Sequence, residues 1–478
     1  MSTRSEVVSA AAVRSGCAGV VPLPARLEPW QLELCARPEL LAGWVEQFGS
    51  PLNVIDPEPL ARNAGELQAA ALAAGAELKL YFARKANKAL ALVDEASRAG
   101  LGIDVASERE LAQVLDRGVR AHDIVVTAAV KPRALLELCA ASGVTVVIDN
   151  GDELALLAEI AADAARPLPV AFRLAPAIAP RTRFGLPPGA ILELVERFWP
   201  RGAASQLLIA GVHFHLDGYS ASDRIAALGE AVELADELRA RGHRVDFVDI
   251  GGGVPMSYLD DATAWERFWT EHRAALAGQR EPLTFDGHRI GRTYPYFQKR
   301  TRGAWLALVL QAELRTRAGR QTAAAALRSR HLQLRLEPGR SLLDGCGLTA
   351  ARVEFRKQRR DGSRIFGLAM NRTQCRSTSD DFLVDPLLVR TTGAEAAPVE
   401  GYLVGAYCIE RELLTWRRLS FPRGVAVGDI VVFPNTAGYL MHILESASHQ
   451  IPLARTLIAE SLEAPLLDPL EALVGDSS

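Results

Sequence analysis

Several features are scarce or missing in this sequence, and each absence excludes a class of protein. The 478 residues include only six cysteines, with no CxxC pair. They predict no disulfide framework or cysteine-rich zinc site and favour a reducing compartment, the cytoplasm. No apolar run is long enough to cross a membrane. Lys plus Arg number 54 against 57 Asp plus Glu, a net charge of −3, without a basic stripe. We therefore expect neither nucleic acid nor a membrane as a partner.

What the chain does contain is a regular alternation of short β-rich runs and amphipathic stretches. Segments such as 110–118 and 153–165 carry apolar residues at helical spacing. Eight buried strands alternating with helices predict an α/β fold, a (β/α)8 TIM-like barrel. A doubly wound open sheet is the alternative, which the lack of a GxGxxG turn after the first run weakens. The eight runs are 76–83, 101–106, 123–129, 144–150, 168–175, 208–216, 245–253 and 332–338.

The chain is long enough for about two domains, and the pattern suggests their order. We interpret 1–29 as a flexible tail and 57–340 as the barrel, with an insert at about 257–330. From 341 to 478 the strand-like runs GLTAARVEF, SRIFGLAM, EGYLVGAYC and GDIVVFPN indicate a β domain. The segment 30–56 also ends in a strand-like run, SPLNVID. We expect it to join the later strands, which makes the second domain discontinuous.

Unusual polar residues follow the predicted strands where a barrel places its chemistry, at their carboxyl ends. The first strand ends in Arg84 and Lys85. A lysine there is most simply a solvated strand end, but lysine also forms Schiff bases when its amine is held in a pocket. The other strand ends share this polar character; they carry Asp104, Arg173, His213, His215, Gly251, Gly252, Gly253, Glu337, Gly339 and Arg340.

The residues at the strand ends suggest two alternative sites, one for a metal and one for a phosphorylated cofactor. His213 and His215 lie two residues apart, so they share a strand face, an arrangement that a metal-dependent hydrolase uses. Few further ligands follow the other strands, and we expect no metal.

The triple glycine after strand seven and Arg340 after strand eight suit a phosphate. A carboxylate such as Glu337 suits a protonated pyridine nitrogen. With a Schiff-base lysine, these groups predict pyridoxal 5'-phosphate.

At this point the sequence resembles a known family. The motifs YFARKAN, GIDVAS, HFHLDG, VDIGGG, EPGRSL, VGAYCIE and NTAGY, in this order, are similar to those of the fold-type III decarboxylases. These are the relatives of diaminopimelate and ornithine decarboxylase. The resemblance covers residues 45 to 445. It implies the barrel and discontinuous β domain of the alanine racemase and ornithine decarboxylase fold, in a homodimer with shared active sites.

The resemblance also implies roles for individual residues. Lys85 carries the cofactor, His215 stacks on its ring and Glu337 pairs with the ring nitrogen. The phosphate, the pocket and the substrate are assigned to a larger set of residues. For cofactor contacts these are Asp104, Arg173, Gly251, Gly252, Gly253, Gly339, Arg340 and Tyr439; for substrate contacts they are Arg340, Arg376, Glu410 and Tyr439. Cys408 of the partner subunit is the expected proton donor.

The activity that follows is decarboxylation of an amino acid with a polar or charged distal end. Glu337 favours this over racemisation, because the related alanine racemases typically place an arginine opposite the ring nitrogen. A racemase or another α-carbon enzyme remains the alternative. An inactive relative that acts as a binding protein is the alternative from another class, although Lys85, Cys408 and Tyr439 are all retained.

Departures from the family pattern concentrate at the substrate end. Asp217 and Gly218 stand where the family often has glycine and serine, and Ser220 is a possible substitute. Glu410 follows Cys408 after an intervening Ile409, and no tyrosine follows Arg376. These changes predict a substrate unlike plain diaminopimelate or ornithine, such as a conjugated diamino acid of secondary metabolism.

Three further interpretations remain open in the sequence. The segment 287–303 of the insert is dense in Arg and Tyr and is either a solvated loop or a lid over an anionic substrate. Ser107 and Glu110 fit a capping box better than a cofactor role. Asp104 either orients Lys85 or pairs with Arg173.

Overall fold

The computed structural model describes residues 9–200, 205–317, 319–377, 382–391 and 397–475. The strands are β1 (Ala18–Gly19), β2 (Leu52–Ile55), β3 (Leu78–Ala83), β4 (Gly102–Val105), β5 (Ile124–Val126), β6 (Thr145–Ile148), β7 (Leu168–Arg173), β8 (Leu207–His213), β9 (Phe247–Asp249), β10 (Glu313–Thr316), β11 (Gly319–Thr322), β12 (Gln333–Leu336), β13 (Gly347–Gln358), β14 (Arg364–Leu368), β15 (Leu387–Val389), β16 (Val399–Val404), β17 (Leu419–Phe421), β18 (Ile430–Pro434), β19 (Arg455–Ile458) and β20 (Leu466–Leu467).

The α-helices, between and around these strands, are α1 (Ala10–Arg14), α2 (Pro29–Cys35), α3 (Pro38–Phe48), α4 (Glu58–Ala73), α5 (Leu90–Arg98), α6 (Glu108–Asp116), α7 (Arg133–Ser142), α8 (Gly151–Ala161), α9 (Pro188–Phe198), α10 (Ala221–Ala240), α11 (Ala262–Leu276), α12 (Arg302–Gln311), α13 (Ala323–Ser329) and α14 (Pro469–Gly475). None of the helices in the described ranges is both long and apolar enough to span a membrane.

Eight parallel strands close into a barrel in the order β12-β3-β4-β5-β6-β7-β8-β9. Seven of them lie within the β-rich runs of the sequence and β8 begins one residue before its run, which confirms the predicted (β/α)8 barrel. The strands are apolar on both faces because helices cover the outside and side chains fill the inside. Leu80 and Phe82 of β3 therefore pack outward against the helices, whereas Tyr81 between them joins a small core inside the barrel.

Glycines in the strands make room for the aromatic rings of this inner core. A Cβ added to Gly102 would lie 2.4 Å from the ring of Tyr81, and one added to Gly211 would lie 2.2 Å from the ring of Phe247. Both distances are far below van der Waals contact, so neither position tolerates a side chain without repacking.

A second sheet of ten strands, largely from residues after 341, forms the β domain. The four strand-like runs predicted there correspond to β13, β14, β16 and β18. Strand β2, which precedes the barrel in sequence, pairs antiparallel with β13 and parallel with β19. The β domain is therefore discontinuous, as predicted from SPLNVID.

The N-terminal segment differs from the flexible tail expected for 1–29. Residues 1–8 lie outside the described part, but Cys17 and Leu23 are buried at 1% and 0% exposure. The backbone N–H groups of Gly19 and Leu23 donate to the two carboxylate oxygens of Asp385, which also pairs with Arg417. The sequence carried no sign of these hydrogen bonds, because Asp385 lies more than 360 residues away from Gly19 and Leu23 along the chain.

The insert is also more ordered than a solvated loop. Helices α11, α12 and α13 and the hairpin β10–β11 occupy more than half of it. Tyr294 and Tyr296 from the Arg- and Tyr-rich segment are 5% and 2% exposed and join the core shared with the β domain. The tyrosines form part of a wall beside the barrel mouth, and the exposed arginine Arg292 pairs with Asp217 at its rim.

Candidate active site

Lys85 lies at the mouth of the barrel because strand β3 ends in a short 3-10 turn, Arg84–Ala86. Its Nζ atom is 2.6 Å from Oδ2 of Asp104, at the end of the neighbouring strand β4. The hydroxyl of Thr127 donates to the other oxygen of Asp104 at 2.5 Å. The lysine side chain is 35% exposed and its amine is held by Asp104, so it is not simply a solvated strand end.

The electrostatics of this pair suit proton exchange between its members. Burial lowers the pKa of Lys85, but the attraction of Asp104, Tyr439 and Glu337 outweighs burial and raises it above the ordinary value. Burial also raises the pKa of Asp104, although Lys85 opposes that shift. In the free protein Lys85 is therefore an ammonium, and Asp104 is a hydrogen-bonded carboxylate placed to receive its proton.

Of the two interpretations of Asp104, the structure supports the contact with Lys85. Arg173 pairs instead with Asp149 at 3.0 Å and donates to the backbone carbonyl of Thr127. Its guanidinium thus lies beneath the mouth of the barrel, engaged by protein groups. Ser107 caps helix α6 by accepting from Glu110 N at 3.2 Å.

Glu337 follows the last barrel strand and is only 3% exposed. Nε2 of His213 lies 3.2 Å from its Oε1, and its carboxyl is hydrogen bonded to that of Asp249. Burial raises the pKa of Asp249 well above the ordinary value and lowers that of His213 well below it. Burial also raises the pKa of Glu337, although the positive charges of Lys85 and Arg173 and the hydrogen bond with Asp249 oppose that shift. The two cations thus favour the charged form of Glu337, and His213 is neutral.

The same three residues form the group in the described chain that has metal-ligand spacing, with ligand atoms within 4.8 Å of one another. His215, which the sequence offered as the second histidine of a metal pair, is not a member. Its Nδ1 instead accepts from the N–H of Gly252 at 3.4 Å. Burial holds the pKa of His215 well below the ordinary value, so the ring is neutral and its flat face is suited to stacking.

Beside His215 opens a cleft of about 280 Å³. Its lining joins the loops that follow β8, β9 and β12, and it includes His215, Asp217, Gly218, Gly253, Gly339, Arg340, Ser377 and Tyr439. Gly339 allows this close packing, since an added Cβ would lie 2.6 Å from the Tyr439 hydroxyl. Ser220 does not replace the missing serine here, because its hydroxyl caps helix α10 by accepting from Asp223 N.

Arg340 is held by aromatic residues that the sequence analysis did not identify. Its Nη1 donates to the hydroxyl of Tyr258 at 2.8 Å and to the carbonyl of Gly438 at 3.1 Å. The guanidinium carbon lies 4.4 Å from the ring centre of Tyr294 and 5.2 Å from that of Tyr439. Tyr258 and Tyr294 come from the insert at about 257–330. The only sequence feature that pointed to their contact with the Arg340 guanidinium was the density of tyrosines in the insert.

Three residues predicted for proton donation or for the substrate end do not line this cleft, and neither do Lys85, Asp104, Arg173 and Glu337. Cys408 and Glu410 are on an exposed loop after β16. Arg376 donates to the carbonyl of Leu413 at 2.7 Å and lies 5.9 Å from the ring centre of Trp416. The neighbouring Ser377 reaches the cleft instead of Arg376, and residues 378–381 of the segment predicted to read the substrate lie outside the described part. Within one subunit, the predicted substrate end is therefore not assembled.

The cofactor end fits pyridoxal phosphate. Nε of Arg340 and Oε1 of Glu337 are buried without a hydrogen-bond partner. One belongs to a guanidinium beside the glycine loops and the other to a carboxyl directly after the last barrel strand, so they suit the phosphate and the ring nitrogen of a phosphorylated pyridine. The ring of His215 lies at the same mouth, and Lys85 supplies the amine.

Comparisons with known proteins show the family to which the chain belongs. Residues 63–282 match the family model described as the pyridoxal-binding domain of pyridoxal-dependent decarboxylases. The uncharacterized protein y4yA of Sinorhizobium fredii is 33% identical over 430 residues, covering 89% of this chain and 91% of that protein. The diaminopimelate decarboxylase of Pseudomonas aeruginosa is 26% identical over 85% of this chain and 87% of its own length.

Solved structures share the fold. The diaminopimelate decarboxylase of M. jannaschii, in complex with L-lysine, superposes with a TM-score of 0.70 at 18% identity, covering 89% of this chain and 91% of that one. The lysine/ornithine decarboxylase of Vibrio vulnificus, in complex with putrescine, gives 0.63 at 17% identity and coverages of 91% and 99%.

The chain thus belongs to the fold-type III pyridoxal-phosphate-dependent decarboxylases, as a divergent member. It is an amino-acid decarboxylase, a carboxy-lyase that uses pyridoxal phosphate as its cofactor.

Proposed function

We propose that the cleft at the barrel mouth is the decarboxylation site and that its residues act as follows. Lys85 attaches the cofactor, and Asp104 takes and returns the lysine proton across the 2.6 Å contact. The glycines at 251–253 and Arg340 bind the phosphate, and the neutral ring of His215 covers one face of the pyridine. The observation that carries the proposal is the buried carboxyl of Glu337 in the same barrel mouth as Lys85, close enough for each group to shift the pKa of the other.

Pyridoxal phosphate, when bound, supplies the sink for the electrons that remain after loss of the α-carboxylate. Glu337 then keeps a positive charge favourable at the ring nitrogen. Lys85, Arg173 and the hydrogen bond with Asp249 favour the charged form of its carboxyl against the effect of burial. Two positioning residues lie beneath the mouth. Thr127 acts through its hydrogen bond to Asp104, and Arg173 acts through its ion pair with Asp149.

We further propose a homodimer in which the partner completes the substrate end. The loop that carries Cys408 is exposed, and Ile409 beside it is 44% exposed. Ile443 and Leu444, which follow the cofactor-side tyrosine, are 40% and 43% exposed. These apolar side chains support burial against a second copy, in which Cys408 reaches the neighbouring cleft and donates the proton to the α-carbon. The unpaired cysteines support a reducing compartment, the cytoplasm.

Mixed dimers test the shared site. We expect Lys85→Ala and Cys408→Ala subunits to be nearly inactive alone and to regain up to about a quarter to a half of the wild-type rate when mixed, because one hybrid site has both residues. Carbon dioxide release from purified heterodimers, carrying different affinity tags, measures this. Heterodimers no more active than the parents would show that each subunit is self-sufficient.

The substrate is proposed to be an amino acid with a polar or charged distal group other than that of diaminopimelate. Two observations support this: Arg376 is engaged by the Leu413 carbonyl, and Ile409 separates Cys408 from Glu410. Each lost contact to a buried polar end costs about 1–3 kcal/mol, or roughly tenfold to a hundredfold in rate.

We therefore expect weak turnover of meso-diaminopimelate compared with conjugated diamino acids. A screen of carbon dioxide release across diamino acids and their conjugates checks this, with the Pseudomonas aeruginosa diaminopimelate decarboxylase as the positive control. Efficient turnover of meso-diaminopimelate, equal to that of the control enzyme, would contradict the altered specificity but not the decarboxylase assignment.

A further inference from the structure

Behind the glycine loops lies a buried arginine that the roles described above do not use. Arg224 is in the first turns of helix α10, and its side chain has 0% exposure. No carboxylate of the described chain lies within ion-pair distance of it; Asp217 and Asp223 act on it only from farther away. Burial lowers its pKa to about 10, so the guanidinium is still charged at neutral pH. A buried cation without an ion-pair partner is costly, which points to an anion nearby.

The hydrogen bonds of Arg224 go to backbone carbonyls of two different loops. Nη2 donates to the carbonyl of Leu216, in the loop after β8, and to that of Gly252, in the loop after β9, both at 3.0 Å. Nη1 donates more weakly to the carbonyl of Ser220 at 3.5 Å. One side chain therefore joins the two loops that line the cleft beside His215.

These contacts determine which way two peptide groups face. In a trans peptide the C=O and the following N–H point in opposite directions. Because the carbonyls of Leu216 and Gly252 turn toward Arg224, the N–H groups of Asp217 and Gly253 turn away from it. Both residues line the cleft, and neither N–H has a hydrogen-bond partner within the described chain.

The third glycine of the triple-glycine loop is explained by the same arginine. Gly253 has a φ of +74°, and a Cβ added there would lie 2.0 Å from Nη2 of Arg224 and 2.5 Å from the carbonyl oxygen of Gly218. Only glycine permits the loop to pass this close to the guanidinium. Gly218 itself stands where the family often has a serine hydroxyl.

We propose that Arg224 is a positioning residue for the cofactor phosphate: it turns the N–H groups of Asp217 and Gly253 toward the phosphate and adds a buried positive charge behind them. This rests on the proposed placement of the phosphate at the glycine loops. It compensates for the serine hydroxyl missing at Gly218, because oriented backbone amides bind phosphate without a side-chain donor.

The experiment compares pyridoxal phosphate with pyridoxal, which lacks the phosphate. Dissociation constants are measured by fluorescence titration of the full-length apo-protein. For Arg224→Gln we expect binding of pyridoxal phosphate to weaken by about tenfold to a hundredfold, with pyridoxal changed less than about threefold. The matched control is Arg239→Gln, which removes an arginine of the same helix that also donates to backbone carbonyls, Val245 and Arg330, at the other end. It should leave both constants unchanged.

Equal weakening of both ligands, or no change in either, would overturn the role of Arg224. If Arg224→Gln does not fold, as judged by thermal unfolding of the apo-protein, Arg224→Lys takes its place. If the ratio of the pyridoxal to the pyridoxal phosphate dissociation constant is smaller in Arg224→Lys than in the wild type, the proposal is supported. If the ratio is unchanged, the proposal is overturned. A wild-type protein that binds both ligands equally well would instead refute the placement of the phosphate at these loops.

Discussion

Replacement of Lys85 by alanine is expected to abolish attachment of the cofactor and to lower carbon dioxide release by on the order of 10⁴-fold or more. In the proposed site, the amine of Lys85 is the group that bonds to the cofactor aldehyde. The measurement is borohydride reduction of the protein with added pyridoxal phosphate, followed by peptide mass analysis, together with the visible absorbance of the bound cofactor.

Lys79→Ala is the matched control for this experiment. Lys79 lies on the same strand at the other end of the barrel and pairs with Asp123 at 2.7 Å. Its replacement should leave labelling of the peptide that contains Lys85 intact. If reduction of the wild-type protein labels another lysine, or if Lys85→Ala is still labelled and active, the assignment of Lys85 is wrong.

Replacement of Glu337 by glutamine is expected to lower kcat by on the order of 10²- to 10³-fold while the cofactor remains attached to Lys85. The amide keeps the size of the side chain but cannot supply the negative charge that makes a protonated ring nitrogen favourable. Steady-state carbon dioxide release gives kcat, and borohydride labelling of the same sample shows that Lys85 still holds the cofactor.

A second buried carboxylate provides the comparison. Glu95 on helix α5 is 4% exposed and lies on the outer side of the barrel, where it pairs with Arg98. Glu95→Gln should leave kcat within about threefold of the wild type, because no charge at the mouth is altered. A Glu337→Gln protein with wild-type kcat would exclude the carboxylate as the partner of the ring nitrogen.

The sequence alone determined the elements that depend on neighbouring residues. Strand β3 and its seven barrel partners appeared as apolar runs because burial on both faces leaves a pattern that does not depend on distant contacts. The residues at the strand ends followed from this, because parallel strands of a barrel all bring their carboxyl ends to one face. Lys85, Asp104 and Glu337 were identified in this way, and the structure brings them to one mouth.

The sequence could not show which charged groups meet. Asp104 had two possible partners, Lys85 and Arg173, and only the closed barrel places Asp149 beside Arg173 and leaves Asp104 to the lysine. The same holds for Asp385, which anchors the segment taken for a flexible tail. Ion pairs between residues this far apart leave no local pattern, because their energy depends on distance in space and not on spacing along the chain.

Tertiary structure alone also decided the surroundings of the phosphate end. Tyr258 and Tyr294 belong to an insert without a recognised motif, yet they hold Arg340 in place. Arg224 appears in the sequence as an ordinary polar residue of a helix, and its burial is visible only when the loops after β8 and β9 pack over it. Local sequence determined where the reactive groups stand along the chain, whereas packing between distant segments determined their partners, their burial and therefore their charge.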